Sequence, residues 1–423
     1  MRYLVTCLIF LSGLSLFSQN YSDRKINRIL SKIEALNKAH VAISISNFKG
    51  SKPIVSYQAD QYMTPASNIK LLTFLASVES FDSLPALYYH DKDSITHFKS
   101  TGYPLLLHPF YPDEELYSFL KEKNYLVYHK SKSNLKPQGP GWSWDDYSYY
   151  FASEISPFPI YGNVIKGYGD NNDPSFSPSG FETLPSSDIS AVNLKRKRFK
   201  NRFYYNSEKW NLKDTLYQPF ITSGDLFIRL LRDELNLPIS LSSQSKRTEW
   251  ELLYTHQEGK LYKALLQDSD NGIAESLLVM ISQKRFDEMN IEKTIDTLKL
   301  QWSNWLPDPL EWVDGSGVSR YNMITPRTLV AVLKKIYEKV GFQNIKNYFP
   351  KGALSGTLKE YDLKNVYAKT GTLRHNHNLS GYLVSSEKNI YVFSVMVNHH
   401  TSSKSEVRNA ISQLLHKFQK RLK

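Results

Sequence analysis

The sequence predicts an α+β fold: a five-stranded antiparallel sheet flanked by helices, interrupted by one or two mainly β insertion domains. Three observations predict it. Strand-like segments fall in two groups, a pair near the start of the chain and three in succession near its end. A segment with apolar residues at helical spacing accompanies each group. Between them, residues 91–220 are rich in Tyr, Trp, Ser, Pro and Asn, with short strand-like pieces set among turn residues. One five-stranded sheet with helices packed on it would bury every apolar face of the two terminal groups.

The elements follow in order. Residues 22–37 place Ile26, Ile29, Leu30, Ile33 and Leu36 on one helical face. VAISISNF (41–48) alternates as a strand, GSK (50–52) turns, and PIVSYQ (53–58) returns as the second strand of a hairpin. In TPASNIKLLTF (64–74), Thr64 suits an N-cap and Pro65 a first helical position. Ile69, Leu71, Leu72, Phe74, Leu75 and Val78 leave too few polar positions for a solvent face, so this helix is expected to be buried. At the far end, 365–373, 379–386 and 389–397 read as consecutive strands, with SEKN as the tight turn between the last two. Residues 404–422 close the chain as an amphipathic helix. The expected division is a discontinuous main domain (20–90 and 221–423) around an insertion (91–220).

The 423 residues suffice for two or three domains, and 41% hydrophobic with 22% charged residues describes an ordinary globular protein. MRYLVTCLIFLSGLSLFSQ (1–19) has an early Arg, an apolar run and small residues, the pattern of a secretory signal peptide. The alternative is a short membrane anchor, but the run is shorter than the roughly 20 residues a span needs. Cys7, the single cysteine, lies in this segment, so the exported chain would carry no thiol or disulfide. A formal charge of +12 on an exported protein points away from nucleic acid. It points toward an anionic wall polymer or membrane surface, or to a basic surface with no specific partner.

Ser67 and Lys70 raise the chemical question. Three residues apart on a helix, their side chains are neighbours, and an ammonium in so apolar an element needs a purpose. Burial disfavours the charged amine, and a neutral amine can take the serine proton. Ser67 falls in the first turn, where a free N–H can meet an oxyanion. Other S-x-x-K matches, such as Ser118–Lys121 and Ser243–Lys246, lack this context.

Two more stretches carry candidate chemistry. Ser269, Asp270 and Asn271 precede an apolar helical run from Ile273 to Ile281. Taken alone they read first as a polar N-cap cluster. Functionally, Ser269 would relay a proton to a leaving amine, and Asn271 would hold Lys70 and a substrate carbonyl. Lys369-Thr370-Gly371 occurs once, on an expected strand, and taken alone reads as a lysine-protected edge. Functionally, Lys369 and Thr370 would bind a carboxylate, Gly371 would allow close backbone approach, and the Thr372 N–H would be a second oxyanion donor. Ser319 and Asn322, in DGSGVSRYN (314–322), have the wrong spacing for the second motif and read as a cleft-edge loop.

Together and in this order, the three motifs resemble those of the penicillin-recognising serine peptidases. The spacings of 202 and 100 residues, with the long gap first, resemble the D-alanyl-D-alanine carboxypeptidase/endopeptidase family of low-molecular-mass penicillin-binding proteins. GWSWDDYSYYFA, DGSGVSRYN, SGTL (355–358) and LSGYL add local likeness, whereas STGYPLLLHP (100–109) departs from the family's usual Gly-Gly-Asp-Pro-like stretch. The resemblance implies a β-lactamase/transpeptidase-like fold, Ser67 as acylated nucleophile and Lys70 as its base. It implies Ser269 and Asn271 as the second motif, and Lys369, Thr370, Gly371 and Thr372 as the substrate strand. It further implies peptidoglycan stem peptides as substrate, β-lactams as covalent inhibitors, no cofactor and a periplasmic location.

A serine β-lactamase would share the motifs, but no E-x-x-L-N stretch occurs between residues 272 and 368. A Ser-His-Asp hydrolase would need a G-x-S-x-G elbow, which is absent. The histidines at 375, 377, 399 and 400 lack a further ligand at metal spacing. A catalytically weak wall-binding protein of the same fold is the remaining alternative. Nothing in the sequence sets an oligomeric state. The aromatic insertion reads first as the core of a small β domain and second as a glycan-stacking surface.

Overall fold

The structure, a computed structural model, describes residues 21–48, 52–170, 173–186, 194–208, 210, 215–242, 249–420 and 422. The expected signal peptide, Cys7 and most of the GSK turn lie outside the described residues.

The chain opens with helices α1 (Asp23–Leu30) and α2 (Glu34–Asn37), a break at 31–33 dividing the single helix expected there. Strands β1 (His40–Asn47) and β2 (Val55–Tyr57) form the hairpin, and helix α3 (Lys70–Ser80) follows. Strands β3 (Pro85–Lys92), β4 (Ile95–Ser100) and β5 (Tyr125–His129) enclose α4 (Glu114–Lys121). Then come β6 (Val164–Asp170), β7 (Asp173–Ser177), β8 (Glu182–Pro185), β9 (Leu194–Arg196), β10 (Arg202–Tyr205) and β11 (Leu216–Pro219). Helix α5 (Gly224–Leu235), strands β12 (Ile239–Leu241) and β13 (Glu251–Tyr254), and helix α6 (Glu258–Lys263) lead into α7 (Asn271–Phe286). Helices α8 (Ile291–Trp302) and α9 (Pro326–Tyr348) precede β14 (Val366–Leu373), β15 (Asn376–Val384), β16 (Ile390–Asn398) and α10 (Lys404–Gln419).

The five-stranded antiparallel sheet is observed, in the order β14-β15-β16-β1-β2. The chain's two ends meet where β1 pairs with β16, Ile43 opposite Val395. Both faces of this sheet are covered. On β1, Ala42 joins the core containing α3, α7 and α9, whereas Val41, Ile43 and Ile45 join the core under α1, α2 and α10. Burial on both faces accounts for the largely apolar runs of β1 and β16.

A second five-stranded sheet, β12-β5-β4-β3-β13, and two three-stranded sheets lie between α3 and α7 in the chain. Strands β12 and β13 fall after residue 220, yet they pair with β5 and β3. We propose on this pairing that the insertion runs from Pro85 to Tyr254, beyond the expected 91–220. Local sequence carries no sign of it, because β12 is three residues long and pairs with a strand more than a hundred positions away.

Candidate active site

Ser67 lies not in the first α-helical turn but in a 3-10 turn, Ala66–Ile69, that feeds α3. The expected Thr64 cap is not formed. Instead the Thr64 N–H donates to Asn398 Oδ1 at 2.7 Å, and Asn378 Nδ2 donates to the carbonyls of Thr64 and Pro65, each at 2.9 Å. Buried asparagines of β15 and β16 thus fix the entry to the turn, which lets Ala66 hold a left-handed φ of 50° beside Ser67.

Lys70 is fully buried. Its Nζ lies 3.1 Å from Ser67 Oγ, 2.6 Å from Asn271 Oδ1 and 2.7 Å from the Ser316 carbonyl. A neutral amine has two N–H bonds and one lone pair. The two N–H bonds match the two carbonyl oxygens, which leaves the lone pair for the Ser67 proton. After transfer, the third N–H bond faces Ser67 Oγ, so both states are satisfied without movement. Burial pushes the Lys70 amine down to about 8, opposed by Asp314, Glu275 and Asp270.

Ser269 and Asn271 converge on the same place by a route the sequence did not indicate. Ser269 takes a left-handed φ of 62° after a π turn (Ala264–Asp268), and Asn271 is the first residue of α7, capped by Asp270 on Ile273 N–H. Asn271 Nδ2 donates to the Phe151 carbonyl at 2.7 Å, which aims its Oδ1 at Lys70. The carboxylates on either side of Ser269 are held by tyrosines of the insertion: Tyr111 donates to Asp268 at 2.8 Å and Tyr150 to Asp270 at 2.5 Å. Tyr150→Phe is expected to lower stability by about 1.5–3 kcal/mol, the usual loss for a hydrogen bond to a charged acceptor. It should also slow acylation severalfold by freeing Ser269; urea unfolding and acylation rates measure the two effects.

The third motif lies on β14, at the edge of the sheet. Ala368 N–H donates outward to the Pro350 carbonyl, and the Val366 carbonyl accepts from Gly352 N–H. By the period of two, the backbone of Thr370 and Thr372 also faces outward, past the end of that cover and into the cleft. Lys369 Nζ bonds to Ser269 Oγ at 2.9 Å and to the Thr370 carbonyl at 3.0 Å. Its amine is held well below the usual lysine range by burial and by Lys70. A side chain on Gly371 would meet the Pro65 carbonyl at 2.2 Å, so glycine allows β14 to lie against the Ser67 turn.

Four further residues shape the site and were given no part in it from the sequence. Buried Glu275 accepts from the N–H groups of Gly315 and Ser316, at 2.9 and 2.8 Å, which presents the Ser316 carbonyl to Lys70. Burial and Asp314 push its carboxyl up. Asp314 accepts from Gly317 and Ser319 N–H, Asn322 Nδ2 and Trp142 Nε1. That gives the 314–322 loop its structural role and ties it to the insertion. His377 lies directly opposite Thr372 across β14–β15, with Nδ1 2.8 Å from Thr372 Oγ1 and Nε2 2.6 Å from the Tyr361 hydroxyl. Burial keeps His377 neutral, down to about 4, and pushes the Tyr361 hydroxyl up. A neutral ring has one nitrogen that donates and one that accepts, so the Tyr361 and Thr372 hydroxyls take complementary roles on either side of it. The signals available were a glutamate inside an apolar helix and a histidine alternating on a strand.

The sequence model described as the D-Ala-D-Ala carboxypeptidase 3 (S13) family matches residues 22–84 and 220–418. The chain belongs to that family. Between these two segments, residues 85–219 are unmatched. Over 468 aligned residues the chain is 22% identical to D-alanyl-D-alanine carboxypeptidase DacB of Haemophilus influenzae, covering 96% of this chain and 95% of that protein. A shorter match, 31% over 115 residues, links 24% of this chain to 22% of the penicillin-sensitive carboxypeptidase A of Dictyostelium discoideum. The crystal structure of penicillin binding protein 4 (dacB) from Haemophilus influenzae superposes with a TM-score of 0.71 at 20% identity, covering 94% of this chain and 99% of that one. A predatory peptidoglycan endopeptidase from Bdellovibrio bacteriovorus superposes with a TM-score of 0.52 at 12% identity, over 90% of this chain and 93% of that one. The expected α+β architecture and the family resemblance are both borne out. Among the described residues, no helix is long and apolar enough to cross a membrane.

Proposed function

We propose that this S13-family peptidase cleaves the D-Ala-D-Ala terminus of peptidoglycan stem peptides through an acyl-enzyme on Ser67. The observation that carries the reading is the hold of two carbonyl oxygens on Lys70 Nζ, which leaves the lone pair of a neutral amine facing Ser67 Oγ. In the first step Ser67 Oγ attacks the penultimate carbonyl carbon as its proton passes to Lys70. The N–H groups of Ser67 and Thr372 take the oxyanion charge, each worth roughly 3–4 kcal/mol if lost. Lys369, Thr370 and the Thr372 hydroxyl hold the terminal carboxylate. The C–N bond then breaks, Ser269 protonates the departing D-alanine amine, and the proton on Lys70 restores the Ser269 hydroxyl. Water attacks the ester, gives its proton to Lys70, and Ser67 leaves as a hydroxyl again.

β-Lactams, whose strained amide presents the same carbonyl and carboxylate, acylate Ser67 in this scheme. The same chemistry cuts a crosslink when the leaving amine belongs to a second stem peptide. These substrates, the basic charge and the apolar first residues together support a protein exported to the periplasm.

Release of D-alanine from a peptide ending in D-Ala-D-Ala tests the reading. Only the unprotonated Lys70 amine accepts the serine proton. The rate should therefore rise about tenfold per pH unit below about 8 and level off above it. No release at any pH, or a rate that falls as pH rises through 8, contradicts it.

A further inference from the structure

A cleft of about 420 Å³ opens from Ser67 and Ser269 past Thr370 and Thr372 and continues to Gly356, Lys359, Glu360, Lys404 and Arg408. It is large for a departing alanine alone, since pockets of ~300–1,000 Å³ hold far bulkier ligands. Its position is defined by the substrate strand. Thr370 and Thr372, two apart on β14, both line it, so it begins where the carboxylate next to the scissile bond would sit.

The far wall is cationic. Lys359 and Lys404 are exposed, and Arg408 pairs with the exposed Glu360 through its guanidinium. The Arg408 Nε–H is buried and has no partner, a donor left over on that wall. Lys404 is the first residue of α10, capped by Ser403. A cation there opposes the helix dipole, so its charge adds to the positive end of the helix instead of offsetting a negative one. His377, held neutral beneath the wall, contributes no charge.

We propose that this cleft is a subsite for the leaving half of a peptidoglycan crosslink, with Lys359, Lys404 and Arg408 receiving the carboxylates of the second stem peptide. The inference rests on the DD-peptidase reading of Ser67. A crosslinked leaving group is a peptide whose reacting amine shares its carbon with a carboxylate and which carries further carboxylates along its stem. The first falls on Thr370 and Thr372. The others reach a wall that carries three cations and one anion, and solvent access there suits an extended chain. A free D-alanine has no group to place on that wall.

The test compares two substrates on the purified protein: a pentapeptide muropeptide ending in D-Ala-D-Ala, and a dimer crosslinked from D-Ala to a diamino-dicarboxylic acid. The quantity read is the ratio of kcat/KM for the dimer to that for the pentapeptide. In the double variant Lys404→Gln/Arg408→Gln this ratio should fall about tenfold. The variant Lys359→Gln/Lys404→Gln alters only exposed side chains, should leave stability within about 0.5 kcal/mol of wild type per site, and should lower the ratio severalfold. Raising salt should lower the wild-type ratio as well. An unchanged ratio in both variants of an enzyme that cleaves both substrates overturns the subsite alone. If the wild-type protein turns over neither substrate, the DD-peptidase reading falls and the subsite with it.

Discussion

Lys70→Met is expected to cut the rate of acylation by benzylpenicillin about 1,000-fold, within the range that a positioned base contributes. Methionine keeps the length and apolar stem of lysine but cannot take a proton. The fold should survive. Removing a fully desolvated amine relieves a cost, while Asn271 Oδ1 and the Ser316 carbonyl each lose a partner, and the two effects oppose. The thermal midpoint should therefore stay within about 5 °C of wild type. Loss of acylation without loss of fold isolates the proton transfer. Acylation at the wild-type rate would show that another group accepts the Ser67 proton.

Gly317→Ala is expected to have the second large effect, at a position with no functional group. Gly317 holds φ +80°, and a Cβ there would lie 2.0 Å from the Ala66 carbonyl oxygen and 3.0 Å from Ser67 N. Those neighbours are backbone and cannot rotate away. Ala66 already sits at a left-handed φ, so the turn has little slack. Stability should fall by about 2–4 kcal/mol, combining backbone strain with the clash. Acylation should fall about 100-fold or more as Ser67 moves off Lys70 and its N–H turns from the oxyanion position. Gly341→Ala is the matched comparison. Gly341 also has a positive φ, +73°, but a Cβ there meets nothing within 4 Å. It should cost about 1–3 kcal/mol from backbone strain alone and leave acylation intact. Equal losses of acylation in both variants would mean that the contact with Ala66 is irrelevant. Chemical unfolding and stopped-flow acylation measure the pair.

The main sheet was legible because each of its strands is a short apolar run bounded by turn residues, and β1 and β16 meet as the two terminal groups require. The meeting of Ser67, Lys70, Ser269, Asn271 and Lys369 could be anticipated because each lies in a short local motif. Less was readable where tertiary partners decide the backbone. The entry to the Ser67 turn is fixed by Asn378 and Asn398, more than 300 residues away, which bond the backbone of Thr64 and Pro65 just ahead of it. Ser269 is left-handed between two carboxylates that Tyr111 and Tyr150 of the insertion hold. Glu275 and Asp314 act through backbone N–H groups of one loop, and a sequence does not show which amides a carboxylate will meet. The wider insertion proposed from strand pairing has no local signature for a related reason. Its sheet is closed by β12 and β13, short strands whose pairing is entirely long-range.

Intact-mass measurement of the purified protein after incubation with benzylpenicillin, followed by peptide mapping, tests the convergence of the three motifs on Ser67 most directly. The expected result is one long-lived adduct, carried by the peptide that contains Ser67 and absent from Ser67→Ala. No adduct, or an adduct that persists in Ser67→Ala, would contradict it.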